Sequence, residues 1–311
     1  MAIKPRIFGG AAALVVAIGM ALVVNSTAAL AYQPGTLGYD ISYPQCGSAY
    51  PASWGSIRVT PPAAPMMTTW RGRAAAVPVS SAQPPTTTTP RSAPIPQGVK
   101  RGSALSFGII GVDSGNPFIS ATHPGNPCLA DEYAHAPNPA LYVNTGYDAT
   151  YEDANHTLAE CTTLSAGITG SAAQQRAWAV GCSEAKKDLT YVMSQGITNS
   201  GGWWLDVETG NSWCGQHGVT CDLSLNSYSI QGLIDTLLAA NASPVGIYSN
   251  KRMWSLIVGT NTVHGQTGDW YATGTGNATA AAAYCAASFS FTGAPVKLVQ
   301  FVNRVDFDYA C

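Results

Sequence analysis

Residues 172–208 read AAQQRAWAVGCSEAKKDLTYVMSQGITNSGGWWLDVE, and a change of period within this stretch decides the fold class. From Ala172 to Gln195, Trp178, Leu189, Val192 and Met193 recur at helical spacing, so a helix is expected there. A short apolar run, Trp203–Val207, follows and reads as a strand. The same alternation extends in both directions. Further strands are expected at Leu37–Ser42, Phe107–Val112, Ala140–Asn144, Val245–Ser249, Asp269–Thr273, Lys297–Val302 and Val305–Tyr309. Several are apolar without strict alternation, as parallel strands covered on both faces should be. A second clear helix spans Asn226–Ala240, with Ile230, Leu233, Ile234, Leu237 and Leu238 along it and Ser227 or Ser229 near its cap. Eight strands with intervening helices predict an α/β protein, a TIM-like barrel. Only a short link joins the last two strands, so the barrel is expected to be incomplete in helices near its end.

The ends and the middle of the chain set the domain limits. Lys4 and Arg6 precede an apolar run, Ile7–Val24, which leads to Ala29-Leu30-Ala31, an A-x-A cleavage pattern. Residues 1–31 therefore read as a signal peptide rather than a retained membrane anchor, and the protein is expected to be secreted. Residues 56–104 are rich in Pro, Ala and Thr, with PPTTTTP at Pro84–Pro90. Such composition buries little and is expected to be disordered. Too few residues precede it to make a domain, so it reads as a long insertion after the first strand. The folded body is then one barrel domain formed by residues 32–55 and 105–311.

Of the 311 residues, 46% are hydrophobic and 10% charged, with 15 Lys+Arg against 17 Asp+Glu. No basic surface is available for a polyanion, which argues against nucleic-acid partners. Eight cysteines in an exported chain point to disulfides. Cys214 and Cys221 close the short loop CGQHGVTC and form the first expected pair. The other six allow several pairings, of which Cys46–Cys128, Cys161–Cys182 and Cys285–Cys311 are the working expectation. A metal site built from Cys214, His217 and Cys221 is disfavoured, because free thiolates are unusual outside the cell and no CxxC is present.

Asp206-Val207-Glu208 carries the sharpest chemical signal. Alternate strand residues share a face, so both carboxylates project together with Cα atoms about 7 Å apart. Two acids this close repel when ionised, and one should keep its proton to higher pH. An acid and a base side by side suit the cleavage of a glycosidic bond. At the carboxyl ends of barrel strands, Asp40 and the Asp306/Asp308 pair are the other acids placed for chemistry. The remaining carboxylates fall mostly in expected helices or loops, where a solvated charge is the ordinary reading.

The run Asp40-Ile41-Ser42-Tyr43-Pro44-Gln45, the later Asp206-Val207-Glu208, and the late Gln300-Phe301 with Val305-Asp306-Phe307-Asp308 together resemble the family 25 glycoside hydrolases, the muramidase-type lysozymes. The resemblance covers nearly the whole mature chain except the insertion. It implies a flattened eight-stranded barrel and cleavage of the β-1,4 bond between N-acetylmuramic acid and N-acetylglucosamine in peptidoglycan. It implies Glu208 as general acid, Asp206 as the group that orients the substrate N-acetyl or stabilises developing charge, and Asp40 and Asp306 as the rest of an acidic floor. The chain departs from the family pattern at two places. The third strand ends Leu141-Tyr142-Val143-Asn144 with no His, and Gly111-Val112-Asp113-Ser114-Gly115 stands where family members often carry a Lys.

Aromatic planes pack on the apolar faces of sugar rings while polar groups take the hydroxyls. Tyr43, Trp203, Tyr248, Trp270 and Tyr271 fall near expected strand ends, whereas Trp204 and Trp254 read as core. The expected substrate-binding set is Tyr43, Gln45, Tyr142, Asn144, Trp203, Tyr248, Trp270, Gln300 and Asp308. Asp113-Ser114-Gly115 partly matches a serine-protease signature, but every histidine follows Ser114 and no G-x-S-x-G elbow is present, so that chemistry is set aside. No phosphate-binding glycine loop or HExxH motif supports a nucleotide or zinc enzyme. The expectation is a monomeric glycosidase that needs no cofactor and acts on cell-wall polysaccharide. The alternative is a barrel that binds cell-wall glycan without cleaving it.

Overall fold

Consecutive parallel strands need crossovers of a dozen or more residues, and the chain supplies them up to its last pair. The computed structural model describes residues 32–47, 50–51, 104–120, 122–198, 201–216, 220–303 and 305–311. The expected signal peptide, His217 and almost all of the expected insertion lie outside these residues. In order the elements are β1 (Leu37–Ile41), β2 (Phe107–Gly111), α1 (Leu129–His135), β3 (Ala140–Asn144), α2 (Ala159–Ser165), α3 (Ala172–Ser194), β4 (Trp203–Asp206), α4 (Ser224–Ala239), β5 (Val245–Ser249), α5 (Lys251–Ile257), β6 (Asp269–Ala272), α6 (Ala278–Ala282), β7 (Val296–Asn303) and β8 (Val305–Ala310). The eight strands close into a barrel in sequence order.

Strands β1 to β7 run parallel, and β8 runs antiparallel to both β7 and β1. One residue separates β7 from β8, too little for a crossover, so the chain must reverse as a hairpin. The helices thin out toward that end: α5 has seven residues and α6 five, against 23 in α3. The barrel is thus TIM-like but incomplete, as the short final link implies.

The helix ends follow from local chemistry. Ser171 caps α3, its hydroxyl taking the Gln174 N–H while the Gln174 side chain takes the Ser171 N–H at 2.8 Å. Helix α4 begins at Ser224, earlier than the sequence pattern suggests. Ser227 and Ser229 therefore lie inside it; Ser227 bonds back to the Ser224 carbonyl, and Asp222 takes the Ser224 N–H. Helices α3 and α4 cross at two glycines. A Cβ on Gly181 would sit 1.8 Å from the Ser229 carbonyl oxygen, and one on Gly232 would sit 2.1 Å from that of Trp178. Backbone approach this close needs glycine on both sides.

Two apolar layers result. Outside the strands, Ile110, Leu141, Val143, Leu205, Ile230, Leu233 and Ile247 pack between sheet and helices. Inside, Phe107, Ile109, Ala140, Trp204, Trp270, Leu298 and Ala310 fill the barrel. Trp204 and Trp270 meet edge to face at 5.6 Å. Tyr32 closes the lower mouth: its ring lies 4.4 Å from Phe107, and its hydroxyl accepts the Trp204 indole N–H at 3.2 Å. Four disulfides pair Cys46 with Cys128, Cys161 with Cys182, Cys214 with Cys221 and Cys285 with Cys311. The first closes a loop with a sequence separation of 82, which contributes about 4.5 kcal/mol by the chain-entropy argument. Among the described residues no helix is long and apolar enough to cross a membrane.

Gly181→Ala should destabilise the chain by about 1–3 kcal/mol, because neither helix backbone can retreat without unpacking the other. A urea titration followed by tryptophan fluorescence measures this, with the same substitution at exposed Gly167, whose Cβ would meet nothing closer than 3.5 Å, as the control for added side-chain bulk.

Candidate active site

Every second strand residue points at the barrel axis, and the inward set changes from apolar to polar toward the carboxyl ends of β1–β7. Above the tryptophans of β4 and β6 stand Asp40 from β1, Tyr142 and Asn144 from β3, Asp206 from β4, Tyr248 from β5 and Gln300 from β7. Register sets them side by side: Asn144 pairs with Asp206, Asp206 with Tyr248, and Gln300 with Asp308. Because β8 descends, its first residues lie at the rim its neighbours climb to. That puts Asp306 across from Asp40, with Asp308 one step deeper.

Asp40, Tyr142, Asn144, Asp206, Tyr248, Gln300 and Asp306 line an open cleft of about 290 Å³, together with Ser42, Tyr43, Pro44, Ser114, Gly115, Glu208 and Trp270. Three hydrogen-bond chains hold it. The Tyr248 hydroxyl donates to the Gln300 carbonyl at 2.7 Å, and the Gln300 amide donates to both Asp40 oxygens at 3.1 and 3.3 Å. The Asn144 amide donates to Asp206 Oδ2 at 2.7 Å. The Trp270 indole donates to Asp308 Oδ1 at 2.7 Å, and the Asp308 carboxyl lies against that of Asp40. The turn after β4 is clamped by Asn211, whose amide donates to the Asp206 carbonyl and whose N–H donates to that of Glu208. Trp213 donates to the Glu208 carbonyl as well.

The electrostatics follow from crowding without counterions. Among the described residues the four ion pairs all lie elsewhere. Burial is the largest influence on each of the five acids and raises its proton affinity. Neighbouring charge adds to it: Asp306 acts on Asp40 and on Glu208, and Glu208 with Asp40 acts on Asp206. Asp206 and Asp308 are held well above the ordinary carboxylate range, and Asp206 Oδ1 and Asp308 Oδ2 have no hydrogen-bond partner. Glu208 is less buried and reaches the cleft mouth. Among the described residues no group of His, Cys, Asp or Glu is arranged to hold a metal ion.

The structure brings most expected residues together: Asp40, Tyr43, Tyr142, Asn144, Asp206, Glu208, Tyr248, Trp270, Gln300 and Asp306 all line the cleft. Three do not. Trp203 starts β4 and faces outward into the helix layer, because Trp204 and Asp206 take the inward parity. Gln45 turns back to accept the Ser42 N–H at 2.8 Å, closing a short helical turn. Asp308 is fully buried beneath Asp40, so it supports the floor without reaching a ligand. Tyr271 likewise faces outward, stacking on Tyr284 at 5.4 Å. Several acids outside the expected strands and expected to be solvated, Asp113, Glu132, Glu184 and Asp188, are buried, as is Asp269 at the start of β6. Sequence reasoning missed Ser114, Gly115 and Asn211. Ser114 adopts φ 58° and Gly115 φ 78°, left-handed geometry that folds the segment after β2 into a cleft wall.

The barrel is similar to several solved structures. These include a muramidase from Acremonium alcalophilum (13% identity, TM-score 0.41, covering 67% of this chain and 83% of that one) and a family GH25 lysozyme from Aspergillus fumigatus (12%, 0.42, with the same coverage). The modular autolysin LytC from Streptococcus pneumoniae is similar at 14% identity and a TM-score of 0.39 over 66% of this chain and 40% of LytC. The chain matches no protein-family model and no curated protein.

The raised acids make stability depend on pH with a definite sign. Each binds its proton more tightly folded than unfolded, so its contribution is full below the unfolded values near 3.8 for Asp and 4.5 for Glu and declines as pH rises above them. Thermal unfolding should therefore occur at lower temperature at pH 8 than at pH 5, and Asp308→Asn should flatten the slope. Differential scanning calorimetry across that range checks both.

Proposed function

We propose that this protein is an exported glycosidase that cleaves β-1,4 bonds in cell-wall peptidoglycan by carboxylate acid–base chemistry. The observation that carries the reading is the convergence of Asp40, Asp206, Glu208 and Asp306, from β1, β4 and β8, on one cleft with aromatic walls. Polysaccharide asks for these two elements together: planes for ring faces and acids for the bond.

In this reading Glu208 is the general acid. It sits at the mouth, and burial and Asp306 keep its proton on at pH values where a free Glu has lost it. The proton passes to the glycosidic oxygen as the bond to the anomeric carbon breaks; water then adds to that carbon and gives a proton back to a carboxylate. Asp206, fixed by Asn144, either orients the substrate's N-acetyl group or faces the positive charge that develops on the sugar ring. Asp40 and Asp306 deepen the negative potential, which favours that charge. Tyr43, 44% exposed at the rim, is the group best placed to stack on a sugar. Tyr142, Tyr248 and Trp270 form the inner wall. The chemistry calls for no cofactor, and a monomer is sufficient because the described chain supplies the whole cleft. The four disulfides support an oxidising, extracellular location, in keeping with the expected signal peptide.

Glu208→Gln should lower release of reducing ends from purified peptidoglycan by about 10²–10⁴-fold while leaving the unfolding temperature close to that of the parent. Full activity in this variant removes Glu208 from the role. A parent protein that sediments with peptidoglycan yet frees no reducing ends is a glycan-binding barrel. Parallel assays on chitin and β-glucan separate a different glycosidase specificity from the one proposed.

A further inference from the structure

The loop that leaves β3 is fastened from behind the cleft. Asn144, whose amide reaches Asp206, is followed by Thr145 and Gly146. The Thr145 hydroxyl donates to Glu184 of α3 at 2.9 Å, and the Gly146 backbone N–H faces the same carboxyl. The Asn144 backbone N–H faces Asp113, just beyond β2, which accepts the N–H of cleft residue Gly115 at 3.3 Å. One cleft wall and the Asp206 donor therefore share anchors that do not themselves line the cleft.

These anchors are unusual groups to bury. Glu184 and Asp188 are fully buried and Asp113 is 1% exposed. Glu184 faces Asp188 one turn along α3 and Asp113 from the β2 side. Asp113 faces Asp188 and Asp206. Lys187 is the cation acting on Asp188, whose proton affinity is pushed up to about 8 by burial. Glu184 Oε1, Asp113 Oδ2 and both Asp188 oxygens have no partner among the described residues. Apolar side chains of similar size would suit the fold better, but they could not accept the hydrogen bond from Thr145.

We propose that Glu184 is a positioning residue: through Thr145 and Gly146 it fixes the β3 loop so that the Asn144 amide meets Asp206, and it thereby sets how tightly Asp206 holds its proton. The consequence for turnover rests on the glycosidase reading above; the measurement does not. The groups around Asp206 are Glu208, Asp40, Asp113, Tyr142, Asn144, Asn211 and Tyr248. Of these, the Asn144 amide is the donor to the carboxylate that α3 controls. A hydrogen bond given to the ionised form lowers a carboxyl's proton affinity, so losing it raises that affinity.

The test is a carboxyl-carbon NMR titration of the full mature chain, with the Asp206 signal identified by its loss in Asp206→Asn. In Glu184→Leu and in Thr145→Val the Asp206 midpoint should rise by about one pH unit. In Glu184→Gln it should stay at the parent value, since the amide oxygen still accepts from Thr145 and its NH₂ can donate to Asp188. Thr145→Val changes one hydroxyl to a methyl and serves if Glu184→Leu does not fold. An Asp206 midpoint that is the same in the parent and Thr145→Val overturns the proposal, as does a shift in Glu184→Gln equal to that in Glu184→Leu. If the parent cleaves no glycan, the glycosidase reading fails while this titration still decides the role of Glu184. If it does cleave, the acid limb of its kcat profile should move with the Asp206 midpoint, and KM should change little.

Discussion

The cleft depends on one constraint, the antiparallel closure of the barrel by β8. A parallel eighth strand would begin at the lower end of the barrel and bring its first residues there. The one-residue link to β7 forces the reverse direction, so β8 starts at the rim and carries Asp306 to a position opposite Asp40. The same strand then delivers Asp308 one layer down, where Trp270 and Asp40 meet it. Fold closure and site assembly are thus a single event: without the β1–β8 ladder there is neither a sealed sheet nor a pair of facing acids.

The acids work against the stability of the fold that presents them. Five carboxyls occupy the upper barrel without an ion pair among the described residues, and each is pushed toward its neutral form. A structure selected only to persist would place a lysine among them or fill the space with leucine. The excess is compensated below and around it, by the Trp204–Trp270 layer, the close crossing of α3 and α4, and the disulfides. Polar clamps from Asn144, Asn211 and Gln300 keep the acids pointed inward.

Most of the strand framework was legible because each strand is a short apolar run whose neighbours break the pattern. The Asp206-Val207-Glu208 pair was legible for the same reason: it ends such a run. Trp203 was misread although the signal was present, since Asp206 facing the axis obliges Trp203 to face away. Gln45 and Asp308 were misjudged for subtler reasons. A short turn that a side chain closes on a backbone N–H leaves no periodic trace, and parity alone does not reveal depth along a barrel. The buried acids of α3 carried a faint sign, because Glu184 and Asp188 continue the stripe that holds Ala177, Gly181 and Val192. Charged residues on an apolar stripe mark a built interior, yet which neighbours they serve depends on contacts from β2 and β3 that no local window contains. Ser114 and Gly115 were invisible as cleft wall because left-handed geometry at a serine has no composition signal.

Tyr32 has a consequence for how any long, chain-like molecule could use this site. With that ring wedged against Phe107 and tied to the Trp204 indole, the barrel is a well with a floor and not a tunnel. A polymer cannot be threaded through it end first. It would have to be laid across the top and lifted off again on the same side, so a free chain end is not required.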